Sequence, residues 1–153
     1  MKARLAASAA LALGLALGTS GCSMLTYQAT TEHYDASDGV SANVGDLDLR
    51  NILVVSDDGE DGNLVLTVVN TGEDDVELGV QVGEGGSEPL IIEVEAGATV
   101  SLGGDEEPLL LEGIDTQPGA LLPIFFQYGT AEGIEKLVPV LDGRLPEYSD
   151  LAP

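Results

Sequence analysis

Short runs of alternating apolar and polar residues, separated by turns rich in glycine and aspartate, constrain this chain more than any other feature. A period of two places every second side chain on one face of an extended strand, so each run can bury one face and wet the other. In VELGVQVG, Val76, Leu78, Val80 and Val82 share one face, with Glu77 and Gln81 opposite. VGDLDLRNILVVS (Val44 to Ser56) begins by alternating and ends as an apolar run. NLVLTVVN (Asn63 to Asn70) is β-branched and lies between the turn segments DDGEDG and NTGEDD. PLIIEVEAG, ATVSLGG, PLLLEGI, LLPIFFQYG and EKLVPVLDG continue the style. The pattern predicts an all-β chain: an Ig-like β-sandwich of seven or eight strands. Leu66, Val68, Val80, Ile92, Val100, Leu110 and Phe126 are its expected core. Beyond the N-terminal stretch, the one helical candidate is a short segment over Thr130 to Lys136.

The N-terminus follows a different rule. Lys2 and Arg4 precede an uncharged apolar stretch, Leu5 to Gly18, which falls short of the roughly 20 residues needed to span a bilayer. Thr19, Ser20 and Gly21 then lead to Cys22, the only cysteine. Small residues after a short apolar stretch mark a secretory signal, and the arrangement resembles the bacterial lipoprotein signal, whose cysteine carries diacylglycerol through a thioether. Thr19 stands where that signal usually has leucine. The alternative is ordinary cleavage nearby, leaving a free thiol, which is a liability outside the cell. The expected partner of Cys22 is therefore membrane lipid, on the extracytoplasmic face of the cell membrane. Two or more acyl chains give a stable anchor where one is marginal. The expected organisation is a lipoprotein signal peptide over 1–21, a lipidated N-terminus and tether over 22–43, a β-sandwich over 44–142 and a tail over 143–153. His33, the only histidine, falls in the tether and reads as a solvated residue.

Removing the signal leaves Arg50, Lys136 and Arg144 against 27 acidic residues, a formal charge of −24. Such a surface repels nucleic acid phosphates and anionic headgroups and is drawn to cations or basic partners. Acidity of this degree can signal disorder, but the chain is 44% hydrophobic and its apolar residues are patterned. Enzyme chemistry finds few residues. A Ser-His-acid triad would have to recruit His33 from the tether, and no cysteine nucleophile is left once Cys22 is lipidated. Paired carboxylates are numerous enough for a glycosidase, yet there is no tryptophan and there are only six aromatic residues to stack a sugar. GVQVGEGGSE matches no phosphate loop. The expectation is a non-catalytic protein without a cofactor, its partner an envelope protein or a basic molecule.

Two segments bear on metals. SDDGEDGN (Ser56 to Asn63) makes Asp57, Asp58 and Asp61 candidate calcium ligands, although their spacing departs from the EF-hand loop. A hairpin turn kept soluble by carboxylates explains the same residues. The second segment, Val94 to Leu141, resembles the second half of the periplasmic copper chaperone family that supplies the Cu-A centre. LVLTVVNTGEDDVEL is similar to that family more loosely. The resemblance implies a cupredoxin-like sandwich. Its ligands do not carry over: Pro108 and Leu110 stand at the family's His-x-Met positions, and Glu112 at the next methionine of the strand. The upstream hairpin, QVGEGGSE, is short and has neither histidine nor methionine. Copper(I) favours soft ligands, to which carboxylates are poor substitutes.

The chain also resembles actinobacterial secreted lipoproteins, through YDASDGVSANVGDLDLRNILVVS, NTGEDD, PGALLPIFFQYG, LVPVLDG and the closing YSDLAP. Some of these relatives carry the label DNA modification methylase. An export signal, a charge of −24 and the lack of a nucleotide loop all oppose that activity here. The functional expectation is an anchored envelope module that binds or builds. The alternative is metal handling, by a degenerate copper chaperone or a carboxylate-based divalent-cation binder.

Overall fold

The computed structural model describes residues 2–19, 34–83 and 88–153. The chain divides into two units, Met1–Tyr34 and Asp35–Pro153. In the first, Lys2–Thr19 is a helix (α1), as its run of alanine and leucine favours. No helix of the described residues is long and apolar enough to cross a membrane. Cys22 and His33 lie outside the described residues.

The described residues of the second unit form nine strands, two more than the lower expectation: β1 (Val40–Val44), β2 (Leu47–Val55), β3 (Gly62–Asn70), β4 (Val76–Val82), β5 (Leu90–Val94), β6 (Thr99–Leu102), β7 (Leu109–Leu111), β8 (Leu121–Tyr128) and β9 (Ile134–Leu141). One sheet carries β2 and β3 with β1, β6 and β7 beside them, and the other runs β5-β4-β8-β9. They join through a short parallel ladder of β2 and β9, Val54 opposite Val140 and Val55 opposite Leu141. Inward side chains of both sheets form one buried cluster around Phe126, Leu47, Leu66, Leu78 and Ile124. This is the β-sandwich expected from the alternation. Among the described residues, every strand and every buried cluster lies within Asp35–Pro153, so this unit has a core of its own.

β2 shows how the pattern is executed. Leu47 and Leu49 face the core, and so do Ile52 and Val54, one step out of phase. The phase shifts at a bulge between Arg50 and Leu53, where Asn51 takes φ 51°. Asparagine tolerates that conformation better than other side chains. Its Oδ1 accepts a hydrogen bond from the Gly39 amide at 3.2 Å. Leu53 and Val55 then point to the opposite face, which explains the uninterrupted apolar run at the end of this segment.

That opposite face is covered by the C-terminal residues. Tyr148 packs with Leu53, Val55 and Val65, and Leu141, Leu151 and Ala152 close over them. Asn63 Nδ2 donates to the Leu151 carbonyl at 2.9 Å, and the Tyr148 hydroxyl donates to Asp38 Oδ2 at 2.7 Å. Burial pushes the Tyr148 hydroxyl up to about 12, with the hydrogen bond and negative charge of Asp38 adding to the effect. The folded unit thus exceeds the 44–142 span at both ends. β1 begins at Val40, inside the expected tether, and within the tail over 143–153 Tyr148, Leu151 and Ala152 pack against the sheet.

Two further expectations are corrected. Thr130 to Lys136 is not a helix: a turn at Gly129 (φ 51°) leads into β9 at Ile134. Pairing with β8 overrides local preference, Phe125 facing Glu135 and Ile124 facing Lys136. Leu110 is 44% exposed, and Leu111, at 1%, is the buried residue of β7. Three consecutive leucines carry no alternation, so nothing local distinguishes the two registers.

Candidate functional site

The two sheets part along one seam, between the β4–β5 end and β7, and a cleft of about 400 Å³ opens there. Its walls mix apolar and polar surface. Val80, Val82 and Leu90 line it from β4 and β5, and Leu110 and Leu111 from β7. β7 is held in place by its ladder with β3, Asn63 opposite Leu110 and Gly62 opposite Leu111. Among the described residues, Glu88 and Glu112 are the charged ones lining the cleft, and both are exposed. Among the expected positions on this strand, Leu110 and Glu112 therefore reach the cleft and Pro108 does not line it.

The aspartates of the Ser56–Asn63 loop are spent on separate hydrogen bonds. Asp57 Oδ1 accepts from the Gly143 amide at 2.9 Å, Asp58 Oδ1 from the Glu60 amide at 2.9 Å, and Asp61 Oδ1 from the Gly113 amide at 2.8 Å. The Ser56 hydroxyl accepts from the Gly59 amide at 3.0 Å and donates to the Asp61 carbonyl, closing the turn. Gln117 Nε2 donates to the Asp58 carbonyl at 2.7 Å, and the Thr116 amide to the Gly59 carbonyl at 3.0 Å. The loop is a fastening point for the β7–β8 connection and the residues after β9. Among the described residues, no group of three or more His, Cys, Asp or Glu side chains is gathered as a metal ion needs.

No family model matches the chain, and no curated protein matches it in sequence. Solved structures do. The copper-bound PCuAC domain from PmoF2 is 14% identical with a TM-score of 0.57, over 67% of this chain and 98% of that domain. The apo PCuAC domain from PmoF1 is 13% identical with a TM-score of 0.54, over the same shares. The fold is that of a PCuAC domain.

Copper(I) does not suit the residues placed in this PCuAC fold. It takes thioether, thiolate or imidazole donors, and the cleft offers none. Pro108 has no side-chain donor, Leu110 is a hydrocarbon, and Glu88 and Glu112 present hard oxygen. The loop closing β4 and β5, Glu84 to Ser87, lies outside the described residues and contains no His, Cys or Met. The donor set contradicts the metal while the backbone keeps the fold.

Sequence reasoning did not find a second concavity. It lies on the outer face of β5-β4-β8-β9, where Gly79 of β4 sits opposite Ile91 of β5 and Gln127 of β8. With no side chain at Gly79, a hollow of about 270 Å³ opens, bordered by Ile91, Phe125, Pro89 and Glu77. The available signal was apolar residues at both parities of LLPIFFQY and KLVPVL, more than one buried face can absorb.

Proposed function

We propose that this protein is a non-catalytic lipoprotein, anchored through Cys22 to the extracytoplasmic face of the membrane, whose PCuAC-type sandwich serves as a binding or structural module of the cell envelope. One observation carries the reading of the domain: the cleft at the sheet seam is lined by Val82, Leu90 and Leu110, and its charged groups among the described residues are the carboxylates of Glu88 and Glu112. Support for the anchor comes from the short apolar stretch and Thr19-Ser20-Gly21 before Cys22, and the kinship with actinobacterial secreted lipoproteins rests on the segments that resemble them. A −24 surface suits an envelope protein or basic partner and does not suit nucleic acid.

Metal handling is the second reading, favoured by the copper bound to one structural neighbour. Copper(I) titration of Asp35–Pro153 against a chelator of moderate affinity separates the two. The expected result is no stoichiometric uptake. Tight one-to-one binding that disappears in Glu112→Gln would replace the first reading with the second. The anchor has its own test in cells: Cys22→Ala should abolish incorporation of a labelled fatty acid and leave precursor or released protein. Unchanged detergent partitioning of that variant would refute the anchor.

A further inference from the structure

The outer face of β5-β4-β8-β9 is both apolar and acidic. Ile91, Leu121 and Leu137 are 51%, 56% and 55% exposed. The strand register sets Leu121 against Pro139 and Pro123 against Leu137, and Phe125 continues this stripe toward the Gly79 hollow. Isolated exposed leucines are ordinary, but a stripe of them leading into a concavity is the form of an interaction surface. The Phe125 ring lies over Gly133, where an added Cβ would come within 2.3 Å of it, so the absence of a side chain at Gly133 leaves room for this wall of the hollow.

Beside the hollow, Glu77 and Glu93 face each other directly across the β4–β5 ladder. Like charges in that position destabilise a sheet. Neither is joined to a cation among the described residues, whose ion pairs are Arg50 with Asp48 and Arg144 with Asp142. Glu135 adds a third carboxylate opposite Phe125. The only lysine or arginine on these four strands is Lys136, and it alternates with Glu135 and Leu137, at the parity of the buried Val138. Two copies of this face would set carboxylate against carboxylate, so a homodimer is disfavoured.

We propose that this face docks a protein partner that seats one bulky apolar side chain in the Gly79 hollow and places an adjacent lysine or arginine against Glu77 and Glu93. The incoming cation is attracted by both carboxylates and offsets their mutual repulsion, so the charge term favours the bound state. This deepens the reading of the domain as a binding module and names the surface and the chemistry of its partner.

A randomised peptide library displayed on phage, selected on Asp35–Pro153 and counter-selected on the Ile91→Ser variant, tests it. Ile91 is exposed, so that variant keeps the core intact, which circular dichroism checks. Selected peptides should pair a leucine, phenylalanine or tryptophan with a neighbouring lysine or arginine. A synthetic copy of the strongest should shift the amide resonances of Gly79, Ile91, Phe125 and Gln127. Glu77→Gln with Glu93→Gln should weaken its binding about tenfold and flatten its salt dependence. Gly79→Ala puts a methyl group on the floor of the hollow, its Cβ 3.3 Å from the Gln127 carbonyl oxygen, and should weaken it as well. Peptides without basic residues, resonance shifts at Val82, Leu90 and Leu110 instead, self-association through this face, or no enrichment would each overturn the proposal. Those results leave the copper and acylation outcomes untouched, so this inference can fail while the broader reading stands.

Discussion

Asn70 shows how much of the fold depends on single polar side chains. It is 2% exposed, at the end of β3. Its Nδ2 donates to the carbonyls of Asp74, Glu95 and Val94 at 2.8, 3.1 and 3.3 Å, and its Oδ1 accepts from the Gly72 amide at 2.9 Å. One amide thus shapes the β3–β4 turn and ties it to the end of β5. Each such bond contributes about 1 kcal/mol net, and leaving buried carbonyls unpaired costs more. Asn70→Ala is expected to lower stability by roughly 2–4 kcal/mol in urea denaturation. Asn70→Asp should do no better, because it turns a second oxygen toward those carbonyls. A loss near zero for the alanine variant would mean that the bonds are replaced by water. NTGEDD reads as a turn in the sequence, and it is one. That its asparagine is buried was not legible, since two of its partners lie 24 and 25 residues away. The same limit applies to Asp57, Asp58 and Asp61. Composition shows three carboxylates in one loop, but only the fold decides that they turn to three different segments.

Among the elements, legibility followed alternation. β4, with its regular pattern, places Leu78 and Val80 in the core as expected. β7 offered three leucines and no phase, and the expectation fell one residue short of Leu111. β2 offered four apolar residues in a row because both its faces are covered, one by the second sheet and one by residues 143–153. The cover depends on Tyr148, and its chemistry gives a pH signature. A phenol ordinarily ionises near pH 10, and in the folded protein Tyr148 is pushed up to about 12. The fold therefore favours the neutral form. That contribution is complete below pH 10 and is lost as the pH rises through about 12. The stability difference between the wild type and Tyr148→Phe should be constant up to about pH 10 and change above it, to the disadvantage of the wild type. A difference that is flat through this alkaline range would show that the Tyr148 hydroxyl titrates alike in the folded and unfolded chain.

At the scale of the whole molecule, the charge distribution explains why so acidic a chain folds and what it still pays. Its apolar residues are sorted by the two-residue period onto inner faces, so the carboxylates are left outside, where water solvates them. Little neutralises them there: two of the three cations in Asp35–Pro153 pair with aspartates two residues before them in sequence, across 3.1 and 3.3 Å. Exposed pairs of this kind contribute at most about 1 kcal/mol each. Self-repulsion is thus spread over the surface, and it acts directly across a ladder where Glu77 faces Glu93. Mobile ions should relieve both. Between about 0.01 and 0.15 M ionic strength the screening length falls from roughly 30 to 8 Å, so the melting temperature of Asp35–Pro153 should rise over that interval in sodium chloride and then level off. Glu77→Gln should raise it at low salt, by the equivalent of roughly 0.2–1 kcal/mol, and shrink the gain from added salt. A melting temperature that falls or stays flat on adding salt would mean that the acidic surface is already balanced by contacts within the fold. It would also remove the physical reason for Glu77 and Glu93 to seek a cation from a partner.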